Sequence, residues 1–440
     1  MHRYFPHTEE DVRQMLEVIG AKSLDDLYAE IPQELLLGRE LDLPKGKSEV
    51  EIRRTMAALS AKNKQLVCFA GAGAYDHYTP SLVPYIASRS EFSTSYTPYQ
   101  AEISQGTLMY IFEYQTMMAH LTGMDVSNAS MYDGATATAE AMMMTAAAAR
   151  KRNKVAISQT LPPRVLAVCR TYADYHGIAL VEVPARDGVT DREQLSALIA
   201  GGDLAGVIVP QPNYFGIVED LTGLADECHG QKTLLVVSGA ASPLGVLKSP
   251  GAWGADIACG DAQSLGIPLG FGGPYIGYLC AKNALIRKMP GRIVGQTEDK
   301  DGKRTFVLTM QAREQHIRRE KATSNICTAQ GMMCLYVAAY LSLLGPQGLR
   351  EVNENSCRGA HALADKLVAS GKFELLYPGK PFLYEFAVRA NADTADALIE
   401  RAAEAGYLAG VKLSEDTLLI AVTEQRSQEE IDRLVELLTA

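Results

Sequence analysis

Residues 256–280 read Asp-Ile-Ala-Cys-Gly-Asp-Ala-Gln-Ser-Leu-Gly-Ile-Pro-Leu-Gly-Phe-Gly-Gly-Pro-Tyr-Ile-Gly-Tyr-Leu-Cys. Two short apolar runs, Asp256 to Cys259 and Tyr275 to Cys280, enclose a Gly- and Pro-rich connection from Gly260 to Pro274. Short apolar runs bounded by turn residues are typical of buried strands. The connection contains no lysine, which limits the chemistry that this part of the chain can perform.

Similar apolar runs recur from about Lys64 onwards and are separated by helical stretches. The other runs predicted as strands are Gln65 to Ala70, Arg164 to Cys169, Ala179 to Val183, Gly206 to Pro210 and Leu234 to Val237. This alternation predicts a large α/β domain over residues 63–330, with a mostly parallel sheet covered by helices on both faces.

The ends of the chain have a different pattern. Residues 1–62 contain amphipathic helical segments without strand character, the first of them capped by Thr8 and ended by Gly20. We expect a helical arm, which in other proteins usually lies across a partner subunit or the chain's own second domain. Residues 331–440 combine an apolar helix with three strands and two further helices, which predicts a smaller C-terminal α+β domain.

Composition excludes several classes of function. With 440 residues, 47% of them hydrophobic and 21% charged, the chain has the balance of a globular protein. Its net charge of -10 argues against a nucleic-acid partner, because such a partner requires a basic face. The apolar run from Gly331 to Gly345 is shorter than the ~20 residues of a membrane span and is interpreted as a buried helix.

Cysteine and histidine spacing indicates neither disulfides nor a metal site. The eight cysteines include no Cys-x-x-Cys pair, and the eight histidines have no metal-ligand spacing. The N-terminus begins Met1-His-Arg-Tyr-Phe-Pro and lacks the apolar core of a signal peptide. We therefore expect a cytoplasmic protein.

Residues Tyr96 to Gly106 form the most polar and aromatic stretch, Tyr-Thr-Pro-Tyr-Gln-Ala-Glu-Ile-Ser-Gln-Gly. A loop leading into a helix explains this composition without any function. If a helix begins near Ala101, Glu102 and Gly106 share one face, so that Glu102 is free to face a cleft.

Two other stretches are open to a structural or a functional interpretation. Gly71 to Pro80 follows a strand but lacks the third glycine of a dinucleotide motif, so a structured loop presenting Tyr75, Asp76, His77 and Tyr78 is expected. Asn128 to Glu140 resembles a phosphate-binding turn before a helix, although Asp133 would repel a phosphate and a capped core helix is favoured.

Residues Arg313 to Thr328 alternate in charge, and Glu314 and Arg318 have the spacing of a solvent-facing helix pair. The ordinary interpretation is a solvated helix face. The alternative is that Arg318, Arg319 and Lys321 hold an anion or an acidic partner surface.

Four stretches together closely resemble the N-terminal half of the glycine decarboxylase P-protein of the glycine cleavage system. They are Tyr96 to Gly106, Asn128 to Glu140, Pro268 to Pro274 and Arg313 to Thr328. The length matches the first subunit of the two-subunit bacterial form. The resemblance implies a fold-type-I transferase scaffold for pyridoxal phosphate (PLP), built twice, in which one copy holds PLP and the other completes the active site across the interface.

The same resemblance implies that this chain is the copy without a covalent cofactor. Alignment from the Gly-Gly-Pro end places Gln263 where the PLP-bearing copy has its lysine, and an amide cannot form that link. Ser238 stands where the strand Leu234 to Ala240 would carry the aspartate that pairs with the pyridinium nitrogen. We therefore expect PLP to be bound by a partner, glycine decarboxylase subunit 2.

In the reaction implied by the resemblance, glycine loses CO2 and its aminomethyl group passes to the lipoyl arm of H-protein. The residues expected to be contributed to the partner's site, for positioning and electrostatics, are Tyr96, Tyr99, Gln100, Glu102 and Gln105. Two alternatives stay open. One is a purely structural subunit that stabilises its partner or docks H-protein. The other is an independent PLP enzyme, which would have to use Lys248 or Lys282 in place of residue 263.

Overall fold

The computed structural model describes residues 4, 6–93, 95–149, 151–322 and 324–440. The chain divides into two compact units, residues 1–64 and residues 65–440.

The first unit is helical in its described residues. It contains helix α1 (Glu9–Ile19), helix α2 (Glu49–Ser60) and two short 3-10 turns, Asp25–Tyr28 and Gln33–Leu35. The Thr8 hydroxyl accepts a hydrogen bond from the Asp11 N–H, and the Asp11 carboxylate accepts one from the Thr8 N–H, which forms a capping box. The helix predicted after Thr8 is confirmed. Whether the arm lies on a partner subunit or on the chain's own second domain stays a prediction.

The second unit has alternating strands and helices. Its strands are β1 Val67–Cys68, β2 Val126–Ser127, β3 Lys154–Ser158, β4 Ala179–Val183, β5 Ala185–Arg186, β6 Val189–Thr190, β7 Leu204–Pro210, β8 Leu234–Ser238, β9 Ile257–Asp261, β10 Gly277–Ala281, β11 Ile293–Glu298, β12 Arg304–Thr309, β13 Phe373–Leu375, β14 Glu385–Ala390, β15 Tyr407–Leu408, β16 Val411–Lys412 and β17 Thr417–Ala421. Its helices are α3 Leu82–Ala87, α4 Gln105–Thr122, α5 Gly134–Ala149, α6 Pro163–His176, α7 Arg192–Ala200, α8 Leu224–Gly230, α9 Gln315–Arg318, α10 Gly331–Ala369, α11 Ala395–Glu404 and α12 Gln428–Thr439.

The central sheet has seven strands in the order β2-β10-β9-β8-β7-β3-β4. The five strands from β9 to β4 are parallel to one another, and β10 and β2 complete the sheet in antiparallel pairing. The prediction of a mostly parallel sheet is therefore confirmed.

Helices cover both faces of this sheet because successive strand residues enter opposite cores. In β8, Leu235 and Val237 enter the core that includes α4 and α10, and Val236 enters the core that includes α5 and α6. Near-continuous apolar strands such as β7 are thus buried on both sides, as a parallel sheet requires.

The C-terminal part contains an antiparallel sheet in the order β13-β14-β17-β16, which packs with α10, α11 and α12 around a separate core. Helix α10 is interrupted at Gly345, which is followed by Pro346. Among the described residues α10 is the one helix that by length and composition could cross a membrane. Its first half contributes Cys334, Val337 and Tyr340 to the core of the large sheet, so the predicted buried helix is confirmed.

Two strand predictions need correction, and strand β3 of the large sheet was missed. Arg164 to Cys169 lies in helix α6, where Val165, Leu166, Cys169 and Ala173 form a buried helical stripe. The run at Gln65 to Ala70 forms β1, but it pairs with β15 and not with the large sheet. The strand β3, which was not predicted, occupies the sheet position next to β4.

Candidate active site

The carboxyl ends of β8 and β9 meet the N-terminus of helix α5. Ser238 ends β8, Asp261 ends β9 and Gly134 begins α5. In doubly wound sheets this edge is the usual place for a ligand. The structure therefore brings Ser238, predicted to stand at the pyridinium position, close to the segment that contains Gln263.

Gln263 is buried, and its amide is held by backbone groups. Its Oε1 accepts a hydrogen bond from the Tyr75 N–H at 2.9 Å, and its Nε2 donates to the Tyr75 carbonyl at 3.0 Å and to the Ile267 carbonyl at 2.7 Å. At 2% exposure the side chain has no solvent to replace these partners. Gln263 thus ties the Gly71 to Pro80 loop to the sheet edge.

Asp261 places a carboxylate at the N-terminus of α5. Its Oδ2 accepts from the Gly134 N–H at 3.2 Å and its Oδ1 accepts from the Gln263 N–H at 2.8 Å. Burial raises the pKa of Asp261 to about 6, although these two hydrogen bonds oppose the rise. The chain's own acid therefore lies where a helix N-terminus could otherwise bind a phosphate.

Glu385, at the start of β14, closes the opposite side of this edge. Its Oε1 accepts from the Ala72 N–H at 2.6 Å and its Oε2 accepts from the Tyr75 hydroxyl at 2.8 Å. Burial raises the pKa of Glu385 to about 7. Ser238 takes part in a further buried contact, 2.8 Å from the Thr138 hydroxyl.

These contacts leave a cavity of about 60 Å³, with Arg164 at its exposed margin. Small-molecule sites usually measure ~300–1,000 Å³. A cavity of about 60 Å³ has room for a few water molecules; no lysine is among its lining residues, and Ser238, which is not an acid, stands at the pyridinium position. The residues present do not fit PLP.

The stretch Tyr96 to Gly106 is an exposed loop that enters helix α4. Tyr96 is 85% exposed and Tyr99 is 58% exposed, and Gln100 and Glu102 are exposed as well. A short 3-10 turn covers Ala101–Ile103, and α4 begins only at Gln105. The helix thus starts later than Ala101, and Glu102 precedes it.

Tyr99 is positioned by a buried arginine. Arg292 donates from Nη2 to the Tyr99 hydroxyl at 2.9 Å and from Nη1 to the Thr328 hydroxyl at 2.8 Å, and its guanidinium lies 5.1 Å from the Tyr99 ring centre. Its Nε lies 3.4 Å from Oε2 of the buried Glu314. The predicted solvent-facing pair of Glu314 with Arg318 is wrong, because Glu314 precedes α9 and points to Arg292.

Gln105 is held by strand β12. Its Nε2 donates to the Phe306 carbonyl at 2.8 Å, and its Oε1 accepts from the Phe306 N–H at 2.9 Å and from the Thr305 hydroxyl at 2.7 Å. This geometry gives Gln105 a part in positioning the loop. Its contribution to another subunit's site stays a prediction.

A largely apolar cavity of about 370 Å³ lies beside the loop. It is lined by Tyr96, Phe92, Tyr110, Leu308 and Met332, and Arg292 and Thr328 supply polar atoms. Its volume falls within the ~300–1,000 Å³ usual for small-molecule sites. Tyr96 is thus located where an exposed phenol borders an apolar cavity.

The other two candidate stretches have structural contacts. In the Gly71 to Pro80 loop, Tyr75 and His77 are buried and not presented to solvent, and His77 Nδ1 lies 2.6 Å from Glu424. In the second stretch, the Asp133 carboxylate accepts from the Thr136 N–H at 2.8 Å, as expected of a capped core helix. Within the described ranges no cluster of His, Cys, Asp or Glu could hold a metal ion.

Sequence patterns did not identify Arg292, Glu385 or Asp261. Asp261 had a usable signal, since an acid directly after a buried strand of a parallel sheet lies at the usual ligand edge. Arg292 and Glu385 had none, because their partners are distant in sequence.

Comparison with known proteins identifies the family. A model of the glycine cleavage system P-protein matches residues 2–438. The chain belongs to the glycine cleavage system P-protein family. A relative in Geobacillus sp. (strain WCH70), named probable glycine dehydrogenase (decarboxylating) subunit 1, is 48% identical over 443 residues, which cover 99% of this chain and 98% of the relative.

Solved structures agree with this P-protein assignment. The crystal structure of a glycine decarboxylase (P-protein) of the glycine cleavage system, in inhibitor-bound form, has a TM-score of 0.91, with 43% identity and coverage of 99% of both chains. A C-DES mutant whose PLP carries a covalently linked glycine has a TM-score of 0.62 at 15% identity, covering 87% of this chain and 97% of that chain, which shows the fold alone. The chain has the fold of fold-type-I PLP-dependent enzymes. It is an enzyme component, and the name subunit 1 of its relatives implies a partner subunit.

Proposed function

We propose that this chain is the subunit of glycine dehydrogenase (decarboxylating) that completes an active site whose PLP is held by subunit 2. The assembled enzyme removes CO2 from glycine and passes the aminomethyl group to the lipoyl arm of H-protein. The observation that carries the proposal is a contrast between two regions. The Gln263 amide is held by three backbone hydrogen bonds and the cavity at that sheet edge measures about 60 Å³, whereas Tyr96 and Tyr99 are exposed.

The closed sheet edge favours a cofactor that is held by the partner and not by this chain. Opening it would separate Gln263 from Tyr75, and Glu385 from Ala72 and Tyr75. Each buried polar group left without a partner costs about 1–3 kcal/mol. A chain that bound PLP in its own pocket would lose several of these hydrogen bonds, each at that cost in free energy. It would still lack a lysine for the covalent link.

The exposed loop has the groups that a site for a small amino acid needs. Tyr99 uses its hydroxyl oxygen to accept from Arg292, so its own proton stays available as a donor. The nearby guanidinium charge makes that phenol a stronger donor to a carboxylate or to developing negative charge. Tyr96, Gln100 and Glu102 are exposed and supply a second phenol, an amide and a carboxylate.

The purely structural alternative is favoured by one observation, the engagement of Gln105 with β12. A scaffold subunit would keep such internal contacts and need no exposed donors. In that case removing the Tyr96 hydroxyl should leave the chemistry unchanged.

We propose the cytoplasm as the place where the complex works.

Reconstitution tests the proposal. The chain and its PLP-bearing partner are prepared separately and mixed, and glycine–bicarbonate exchange is measured with lipoylated H-protein. We expect exchange only in the mixture, with borohydride fixing PLP to the partner alone. A PLP adduct on Lys248 or Lys282 would instead support the independent enzyme, and exchange by the partner without this chain would refute a completed site.

A further inference from the structure

Five exposed cations line one wide surface pocket of about 870 Å³. They are Arg287, Lys288, Arg318, Arg319 and Lys321, and we call this surface the cationic basin. Glu320 is the acid among its lining residues. A sixth cation, Arg313, is engaged elsewhere, because its Nη2 donates to the Gly291 carbonyl at 2.8 Å.

The five cations are unpaired. In the ranges that the structure describes, none of their side chains takes part in an ion pair or a hydrogen bond, whereas Arg170 and Arg186, for example, pair with acids. The chain as a whole carries a net charge of -10. A group of uncompensated positive charges on such a chain produces a strong local field that attracts an acidic molecule.

The shape of the basin suits a protein surface better than a small anion. The lining also includes Ile317, which is 50% exposed, together with Met310 and Ala312. Protein interfaces likewise combine apolar residues with polar and charged ones. The basin is open and wide, so it lacks the enclosure that a small ligand requires.

The charges also distinguish a transient partner from a permanent one. Permanent subunit interfaces are apolar and depleted of lysine, because burying unpaired charge is costly. Exposed cations with long side chains instead accelerate the encounter with an acidic partner that binds and leaves. The basin therefore favours a partner that exchanges during turnover.

The basin adjoins the segment that positions the Tyr96 to Gly106 loop. Arg313 lines the basin and bonds to Gly291, and the next residue, Arg292, donates to the Tyr99 hydroxyl. A protein seated on the basin would thus be next to the elements that hold Tyr99.

We infer that the cationic basin docks the acidic face of the carrier protein that presents the lipoyl arm. This inference rests on the proposed function, which supplies the carrier. Docking here makes the chain an active contributor to carrier recognition, in addition to its loop residues.

The test uses the assembled complex of both subunits and the double variant Arg287→Glu/Lys288→Glu. Turnover of glycine is measured against the concentration of lipoylated carrier protein and, separately, with free lipoamide. We expect KM for the carrier to rise at least about tenfold with kcat retained, because a repelled partner encounters the site more slowly. The rate with lipoamide should not change. Raising salt from about 0.05 M to about 0.5 M should raise KM in the unaltered complex and have less effect in the variant.

The control variant Lys232→Glu/Arg350→Glu makes the same change of charge at exposed positions outside the basin and should keep the original KM. An unchanged KM in the basin variant would overturn the inference. Loss of subunit association on native mass spectrometry would also overturn it and identify the basin as a subunit interface. An unaltered complex inactive with both acceptors would count against the proposed function itself.

Discussion

Gln263 and Tyr75 are joined by a reciprocal pair of hydrogen bonds, from the Tyr75 N–H to Gln263 Oε1 at 2.9 Å and from Gln263 Nε2 to the Tyr75 carbonyl at 3.0 Å. Both partners are buried, and the pair imitates one rung of a strand ladder between two segments 188 residues apart. The position that the family resemblance assigns to a catalytic lysine is therefore structural in this chain.

Replacing Gln263 by lysine should not create a PLP site. Lysine cannot accept from the Tyr75 N–H, and its charge would be buried, so we expect the free energy of unfolding to fall by about 1–3 kcal/mol or more. Urea unfolding measures the loss, and the exposed Gln231→Lys is the control. A borohydride-stable PLP adduct at residue 263 would contradict this expectation.

Stability should depend on pH through Glu385. Burial raises its pKa from 4.5 to about 7, so the folded state binds a proton more tightly than the unfolded state. The contribution of Glu385 to the free energy of unfolding is full below the pKa of its unfolded state. This contribution is lost as the pH rises through the pKa of its folded state. At 1.36 kcal/mol per pKa unit, the loss between pH 4.5 and 7 is up to about 3 kcal/mol.

The variant Glu385→Gln cannot titrate and should lack that part of the pH dependence. Urea unfolding of both proteins at about pH 5 and about pH 7.5 gives the comparison, and Asp261, which also titrates there, is common to both. Parallel pH profiles for the two proteins would show that folding does not raise the pKa of Glu385.

Removing the Tyr96 hydroxyl should impair chemistry but not assembly. In the reconstituted complex, Tyr96→Phe is expected to lower glycine–bicarbonate exchange by about 100-fold, the loss typical of a donor aimed at developing charge. Tyr175→Phe is the matched control, since Tyr175 is 88% exposed on α6. Full exchange in Tyr96→Phe would favour the scaffold interpretation.

Gln100 and Gln105 should behave differently, although they belong to one loop. Gln105→Ala removes four hydrogen bonds that hold the loop, so the melting temperature and exchange activity should fall together. Gln100→Ala and Glu102→Gln alter exposed side chains and should lower exchange with the melting temperature unchanged. Equal melting temperatures for Gln105→Ala and the unaltered chain would contradict the positioning function.

Much of the fold could be predicted because its signals are local. The strands β7, β8 and β9 are short apolar runs bounded by turn residues, and α1 is defined by the Thr8 cap and by Gly20. Arg164 to Cys169 was misassigned because a short apolar run fits strand and helix alike. The Pro163 at its start and Gly177 after its end were the better evidence, since both positions favour a helix.

The sequence by itself determined the family, the parallel sheet and the absence of a lysine at residue 263, since each depends on residue identity and on local spacing. Only the tertiary structure decided that Glu314 faces Arg292, that Glu385 closes the sheet edge and that five cations share one basin. The physical reason is that burial and charge pairing depend on which segments the fold brings together, and these segments lie tens to hundreds of residues apart in the chain.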